Sequence, residues 1–562
     1  YLDFSTNFSE LQERLKREPR YLEGLITEYL LENTHRSTVI VKPDSELAER
    51  EARELRAELA QMADAMSEEE RRRLEEENKA LRELQQAPDP PEELAKIPFL
   101  RLQDIPREVV KIAGGWEPLG DVPLHSHGVF ANGIVYVDFA FDLHDLTPGE
   151  EAYLPLLSHS LTETGLPGMS YDALLREINL HTGGIGASVA ASATSPDPSR
   201  VRMMLNVRVK MLEDKVEEGL SLCRRVLLEP RFDDHRRLTD LIREVRNDMV
   251  SSVVPGGHSY AMTRAARLLS PSSAVDERFH GIEQLRFVER LSSEGGAEEA
   301  AAALLKLRER VIQRNRLNAN LTCDESIRSG LAERLSGLVA DIPAGEASRL
   351  EVDTVQVRAA DEAPAHTEGV AVSSSVNFVA AALESSPLDT PEQAAEEALA
   401  QLLRTGPLWE KIRMEGGAYG AFAVNRGSER IFVFGSYRDP HVTRTLDAYR
   451  EALSAVATSP PEGKELELAL LGILGKELRP MVPREEGMTG FRRDLLGVTD
   501  ELRQSVRDRI WGLEPRDVAR AAQRLLERFD QASVAVVGGA AALDVASQQL
   551  AELKSNRLEL HL

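Results

Sequence analysis

The amino-acid sequence predicts an α+β protein: two homologous domains, each an antiparallel sheet with packed helices, preceded by a long helical hairpin. Three observations support this prediction. Apolar strands alternate with amphipathic helices from about residue 98 onward. A motif of helix, Gly-Gly, two strands and helix occurs twice. Residues 44–87 carry apolar side chains at helical spacing in a charged background.

Residues 1–43 are the first predicted segment. They contain a helical stretch and then one apolar strand at residues 38–41, which Pro43 ends. One strand cannot form a sheet, so we interpret residues 1–43 as the C-terminal remnant of a preceding α+β domain.

Residues 44–97 are predicted to form a helical hairpin that acts as a linker. Ser67 and Glu70 make an S-x-x-E capping box, which begins the second helix of the hairpin. The proline-rich stretch APDPPEE follows that helix and is typical of a rigid connection. The apolar stripe of the first helix consists of Leu47, Ala48, Ala52, Leu55, Leu59, Met62 and Met66.

The stretch DIPAGEAS at residues 341–348 divides the remainder into two domains, 98–345 and 346–562. In the first, the helix YDALLREINLH leads to Gly183-Gly184, the strands IGASVAASA and VRMMLNVRV, and a helix that starts near Met211. In the second, LWEKIRM leads to Gly416-Gly417, the strands AYGAFAV and RIFVFGSY, and a helix begun by Asp439-Pro440. We therefore predict two related domains that pack as a pair.

Two residues distinguish the second copy of this motif. Aligning the Gly-Gly pairs places Leu180 opposite Arg413 and Gly186 opposite Tyr419. The shared architecture therefore requires neither polar side chain, which makes Arg413 and Tyr419 candidate functional residues. Both could donate hydrogen bonds to a peptide carbonyl, or to the oxyanion that forms when the carbonyl is attacked.

Structural explanations for the same residues stay open. Arg413 falls in the last turn of a helix, where a cation interacts favourably with the dipole, and Gly416 is placed for the left-handed residue that follows the helix. Tyr419 alternates with Ala421 and Ala423 on the predicted strand and could be a core tyrosine.

Composition excludes several functional classes. A net charge of −25 argues against nucleic acid as the main partner, and no apolar run predicts a membrane span or a signal segment. Cys223 and Cys323 are far apart and predict buried, reduced thiols. We therefore expect a soluble protein of a reducing compartment such as the bacterial cytoplasm, although the sequence does not name the compartment.

The chain contains no complete catalytic motif. We find no H-x-x-E-H, H-E-x-x-H, G-x-S-x-G, Walker or C-x-x-C motif. His125 and His127 would share one face of a strand, but no third ligand is near them in sequence, so a polar strand start is the favoured interpretation. His159 and His181 are single histidines on predicted helices.

Several stretches together resemble presequence proteases, a branch of the pitrilysin/insulinase metallopeptidases. They are KREPRYLEGLITEYLLENTHRSTVIVKPD, the acidic helical hairpin, PDPPEELAKIPFLRLQDIP, and GGAYGAFA with SYRDP. The resemblance runs along essentially the whole chain but covers only the C-terminal half of such an enzyme. The R-x-x-G-G-A-Y run and the helical connector are its most specific parts.

The resemblance implies an enzyme of four homologous domains, paired into two halves that close over a peptide chamber. Zinc is expected in the N-terminal half, bound by an inverted H-x-x-E-H motif, and no metal is expected in this chain. The third domain keeps the spacing of that motif in Pro155 and Gly165, but Leu156, His159 and Ser160 stand at the ligand and base positions. Arg413 and Tyr419 match an arginine and a tyrosine that reach the scissile peptide, while Gly416 and Gly417 would let the peptide approach.

We therefore predict the substrate-binding half of a zinc metallo-oligopeptidase that degrades short unfolded peptides, inactive without its zinc-bearing half. Its partners would be that N-terminal half and unfolded peptides, with neither nucleic acid nor membrane involved. An inactive interaction subunit of the same superfamily is the alternative, and a peptide-binding module without an enzyme partner is a weaker one.

Overall fold

The computed structural model describes residues 4–42, 44, 46–87, 89–345, 355–356 and 367–560. The chain divides into two compact units, Tyr1–Pro98 and Phe99–Leu562. The predicted domain boundary between residues 345 and 346 lies at the edge of the described part and stays a prediction. In the part of the chain described, no helix is both long and apolar enough to cross a bilayer.

The first unit is helical. Ser67 accepts a hydrogen bond from the Glu70 backbone at 3.3 Å, and the Glu70 carboxylate accepts one from the Ser67 backbone at 2.9 Å, which confirms the predicted capping box. The helices of this unit are α1 Ser5–Arg17, α2 Tyr21–Ile26 with a π-helical turn Thr27–Leu31, α3 Leu47–Ala65, α4 Glu68–Gln86 and α5 Pro91–Leu94.

The strand predicted at residues 38–41 is wrong. Residues 38–41 have no regular structure, and the side chains of Val39, Ile40 and Val41 are exposed. A strand requires a partner for its backbone groups, and no described strand pairs with this segment. Pro43, predicted to end the strand, lies outside the described residues.

The second unit begins with a seven-stranded sheet, sheet 1, in the order β1-β2-β6-β3-β5-β4. β2 and β6 are parallel, the other neighbours are antiparallel, and β7 pairs with the start of β5. The strands are β1 Gly115–Leu119, β2 Val122–Gly128, β3 Ile134–Asp142, β4 Ile185–Ala193, β5 Arg200–Leu212, β6 Leu317–Cys323 and β7 Val355–Gln356.

One face of sheet 1 is apolar and packs on helices to form the first core. Cys223 and Cys323 are buried and free in this core, as predicted. The helices are α6 Pro148–Glu151, α7 Leu154–Glu163, α8 Tyr171–His181, α9 Val216–Leu228, α10 His235–Val253, α11 Gly257–Ala266, α12 Pro271–His280, α13 Ile282–Leu291, α14 Gly296–Val311 and α15 Arg328–Asp341.

Sheet 2 repeats the topology of sheet 1. Its order is β10-β11-β9-β12-β8-β13, and β8 and β12 form the parallel pair that corresponds to β2 and β6. The Gly-Gly strands, β4 and β10, are therefore edge strands at equivalent positions, which confirms the predicted repeat and α+β class. The strands are β8 Thr367–Ala371, β9 Phe378–Glu384, β10 Gly420–Arg426, β11 Ile431–Tyr437, β12 Ser533–Gly538 and β13 Arg557–Glu559.

The helices of the second repeat pack on one face of sheet 2 and form the second core. They are α16 Pro391–Thr405, α17 Thr443–Thr458, α18 Gly463–Glu477, α19 Pro483–Leu495, α20 Asp500–Trp511, α21 Pro515–Arg528, α22 Ala540–Ala546 and α23 Glu552–Ser555.

The two repeats exchange one helix each. α11 of the first repeat packs on the second face of sheet 2, where its Ala261 and Met262 join Phe378 and Val433 in an apolar cluster. The equivalent helix of the second repeat, α19, lies on the second face of sheet 1, with Phe491 against that sheet. Each sheet is thus covered on one face by its own repeat and on the other by its neighbour.

Two predicted helix starts are wrong. The helix predicted near Met211 begins at Val216, because β5 continues to Leu212. The helix assigned to Asp439-Pro440 begins at Thr443. The Asp439 carboxylate instead accepts hydrogen bonds from the His441 backbone at 2.9 Å and the Thr445 hydroxyl at 2.7 Å.

Candidate functional site

Arg413 and Tyr419 lie in one open cleft of about 750 Å³ beside the edge strand β10. The cleft is mostly apolar where it is lined by side chains of both repeats. The lining residues are His258, Arg404, Thr405, Trp409, Arg413, Tyr419, Gly420, Ala421, Phe422 and Tyr437.

Arg413 is positioned by a π-helical turn, Trp409–Met414, rather than by a regular α-helix end. The buried Ile412 anchors this turn in the second core, which leaves Arg413 exposed on the opposite side. The carbonyl of Arg413 accepts a hydrogen bond from the backbone of Gly417 at 3.1 Å, so the turn is closed directly behind the side chain.

Tyr419 is not a core residue. β10 begins at Gly420, so Tyr419 precedes the strand, and 67% of Tyr419 is exposed while Ala423 faces the core. The predicted alternation with Ala421 and Ala423 is therefore wrong at Tyr419. Its backbone is still fixed, because Tyr419 N donates to Tyr437 O at 3.0 Å.

The two glycines shape the turn behind the cleft and do not line it. Gly417, rather than the predicted Gly416, has the left-handed conformation, with φ of 78°. A Cβ at the buried Gly416 would lie 2.6 Å from the carbonyl oxygen of Ile412. Both positions therefore exclude side chains, Gly417 through backbone strain and Gly416 through lack of space.

The polar groups of the pair are uncommitted. Neither the Arg413 guanidinium nor the Tyr419 hydroxyl has a hydrogen-bond or ion-pair partner among the described residues. The guanidinium carbon lies 5.7 Å from the centre of the Tyr419 ring, within the range of a cation–π interaction. Both groups can therefore donate to one ligand in the cleft.

The sequence analysis missed His258, which α11 brings into the cleft from the first repeat. Its ring centroid lies 5.4 Å from that of Phe422 and 4.9 Å from that of Tyr437, and Tyr437 in turn lies 5.6 Å from Tyr419. Burial lowers the pKa of His258. Its Nδ1 is buried without a hydrogen-bond partner among the described residues. Only the long-range placement of α11 reveals this residue, so no local sequence signal could have found it.

His125 and His127 share one face of β2, as predicted, but both are buried and hydrogen-bonded. His127 Nδ1 donates to the Ala113 carbonyl at 2.8 Å, and His125 Nδ1 donates to His127 Nε2 at 2.7 Å. The carboxylate that the sequence did not show near them is Asp494 of α19, 2.9 Å from His125 Nε2. Burial lowers the pKa of His127 to about 4.

The positions that match the zinc motif do not converge on a metal. Leu156 and Ser160 are buried on α7, where the Ser160 hydroxyl donates to the Leu156 carbonyl at 2.7 Å. His159 points outward, 3.6 Å from Glu163, and His181 similarly lies 3.4 Å from Glu177. Within the described residues, no group of three histidine, cysteine or acidic side chains could hold a metal ion.

Two family models match the chain. The model of the domain associated with subfamily C of the M16 peptidases matches residues 41–291, and the model described as "PreP C-terminal domain" matches residues 368–539. They cover the hairpin with most of the first repeat, and most of the second repeat, in that order.

Curated relatives include named presequence proteases. The chain is 27% identical over 531 residues to "Presequence protease 1, chloroplastic/mitochondrial" of Arabidopsis thaliana, covering 93% of this chain and 48% of that protein. It is 26% identical over 556 residues to "Presequence protease, mitochondrial" of Danio rerio, covering 96% of this chain and 54% of that protein. The chain thus spans about half the length of the curated relatives it matches.

A solved structure shows the same fold. The "peptidase M16 inactive domain" of Pseudomonas fluorescens aligns with a TM-score of 0.52 at 15% identity, covering 76% of this chain and 98% of that one. Together with the family models, this similarity confirms the predicted likeness to the C-terminal half of a pitrilysin-like protein.

Proposed function

Because this chain is built as the peptidase-associated, C-terminal half of a pitrilysin-like protein, we propose that it binds the substrate for a zinc metallo-oligopeptidase that degrades short unfolded peptides. Arg413 and Tyr419 contact the scissile peptide. The observation that carries this proposal is the cleft itself, where two uncommitted hydrogen-bond donors stand beside the free edge of β10.

The edge of β10 provides the binding mode. No described strand pairs with its outer side, so its backbone groups can pair with an extended peptide. The small side chains of Gly420 and Ala421 leave room for that peptide, and the apolar rings of the cleft can take its side chains.

Arg413 and Tyr419 provide orientation and charge stabilisation. Both donate to the peptide carbonyl oxygen, and these hydrogen bonds strengthen as the oxygen gains negative charge during attack. The donors are held by a closed turn and by the Tyr419–Tyr437 backbone contact, so little reorganisation is needed.

The zinc of such an enzyme does not fit this chain. Leu156, His159 and Ser160 offer one outward imidazole and no converging carboxylate. We therefore assign the metal to an N-terminal half, supplied on the same polypeptide or as a separate chain, and derive no metal-dependent step here.

The test is cleavage of a quenched fluorescent peptide by the chain alone and after addition of the N-terminal half. We expect activity only with both halves. In the combined enzyme, Arg413→Ala should lower turnover about 100-fold with little change in melting temperature, and Tyr419→Phe should lower it as well. Arg236→Ala, at an exposed arginine of α10 outside the cleft, is the matched control.

Wild-type turnover in both cleft variants would contradict the assigned roles. Failure of every combination to cleave would favour the alternative, an inactive interaction subunit. Chelator-sensitive activity of the chain alone would instead point to an overlooked metal centre, with His125 and His127 as the first residues to replace.

A further inference from the structure

The first repeat contains a second pocket, of about 380 Å³, at the position equivalent to the Arg413–Tyr419 cleft. It is lined by residues 183–188 at the start of β4, by Asn206, Arg208 and Lys210 of β5, and by Arg484 of α19. We call it the β4 pocket.

The two sites are built from corresponding elements. Each lies beside the Gly-Gly edge strand of its sheet, on the adjoining hairpin strand, and each is completed by one residue near the start of the exchanged helix. His258 of α11 has this place in the cleft, and Arg484 of α19 has it in the β4 pocket. The cleft is lined mainly by aromatic rings, whereas the β4 pocket is lined by cations.

The positive charge of the β4 pocket is not neutralised. Arg208 donates to Asp138 at 2.6 Å, so its charge is paired. Lys210 and Arg484 have no carboxylate within ion-pair distance among the described residues, and no acidic residue lines the pocket. In a chain with a net charge of −25, two adjacent unpaired cations indicate selection for an anionic ligand.

Lys210 is directed across the glycine turn. A Cβ at Gly183 would lie 2.3 Å from Lys210 Cε, so only glycine lets the lysine side chain lie over the backbone there. Gly184 has φ of 124°, and the space around Gly186 is open. The turn thus presents an ammonium group at the entrance to the free edge of β4, where an extended peptide can pair.

We propose that the β4 pocket binds a carboxylate of an extended peptide that pairs with β4, with Lys210 and Arg484 as its ligands. The guanidinium can donate two parallel hydrogen bonds to the carboxylate, and the ammonium adds a point charge. The carboxylate is either the C-terminus of the peptide or an acidic side chain. This site goes beyond the proposed role of Arg413 and Tyr419 and does not depend on it.

The test is binding of fluorescein-labelled peptides to the purified chain, followed by anisotropy. One pair of peptides differs only in a free or amidated C-terminus, and a second pair in one internal Glu or Gln. We expect wild-type protein to bind one acid form at least about tenfold more tightly than its neutral counterpart. The pair that shows the difference identifies the source of the carboxylate.

The variants locate that preference in the β4 pocket. Lys210→Met combined with Arg484→Gln should abolish the preference, and Arg484→Lys, which keeps a charge, should retain part of it. Arg492→Gln, at an exposed arginine on the same helix, should leave it intact. Equal binding of acid and neutral peptides by wild type, or full preference in the double variant, would overturn the proposal. Arg413→Ala should preserve the preference, which separates this site from the cleft.

Discussion

At the scale of single residues, the turn behind the cleft depends on one backbone conformation. Gly417 adopts φ of 78°, and a Cβ there would have only Pro440 Cγ nearby, at 3.8 Å. A substitution at this position therefore tests backbone strain without a steric clash.

We expect Gly417→Ala to lower the free energy of unfolding by about 1–2 kcal/mol, because alanine is strained in the left-handed region. Gly475→Ala is the matched control: Gly475 lies in α18 with open space around it, so alanine should stabilise the chain by roughly 0.5–1 kcal/mol. Urea titrations at pH 7 measure both values. A neutral result at Gly417 would contradict the assigned conformation.

The same scale shows what the sequence reveals of the site. Arg413 and Tyr419 could be recognised because they break an internal repeat. The exposure of Tyr419 could not be predicted, because a strand start one residue later reverses which side chains face the core. His258 could not be found either, since nothing in its own segment indicates contact with the second repeat.

At the scale of elements, the packing of α19 on sheet 1 requires close approach. A Cβ at Gly490 would lie 2.7 Å from His127 Cε1, and one at Gly487 would lie 1.9 Å from Thr322 Oγ1. These glycines bring α19 onto a polar sheet face, where Asp494 contacts His125. The hydrogen-bonded series from Asp494 through His125 and His127 to Ala113 therefore joins the two repeats.

This series makes the stability depend on pH. His127 Nε2 must stay unprotonated to accept from His125, and burial lowers the pKa of His127 to about 4 from an ordinary 6.5. The unfolded chain thus binds a proton more readily than the folded one, so stability is fully present above pH 6.5 and is lost as the pH falls toward 4. The titratable groups that face His127 are His125 and Asp494.

Between pH 7 and pH 5 we expect His127 to account for a loss of about 2 kcal/mol in the free energy of unfolding. In His127→Gln the dependence should be flatter by that amount, whereas exposed His159→Gln should behave as wild type. Urea titrations at both pH values give the difference. A variant as pH-sensitive as wild type would place the effect in other groups.

Most element positions followed from periodicity, including the strand 185–193 and the helix Tyr171–His181, because each buries one face locally. The exchange of α11 and α19 could not be predicted. Amphipathicity shows that a helix packs against something, but it does not identify which sheet the helix covers.

At the scale of the whole molecule, a buried ion pair also links the repeats. Arg264 of α11 donates to both carboxylate oxygens of Glu368 at the start of β8, at 2.6 and 2.9 Å, and pairs with Glu277 of α12. Arg264 is almost fully buried, so its charge is compensated only by these partners.

We expect Arg264→Met to lower the free energy of unfolding by about 3 kcal/mol or more, because two buried carboxylates lose a partner. Arg243→Met, at an exposed arginine on α10, should have little effect. Thermal unfolding followed by calorimetry measures both, and unchanged stability of Arg264→Met would show that Arg267 alone satisfies Glu368.

The exchange of helices also constrains how such a chain can evolve. After a duplication in which each copy covers the sheet of the other, neither copy can be deleted, because its loss would expose Phe378 and Val433 or the polar face of sheet 1. Each copy is retained for its helix and is free to change at its glycine turn. One copy could therefore acquire Arg413 and Tyr419 while the other kept Leu180 and Gly186, so a shared scaffold preserves two turns with separate histories.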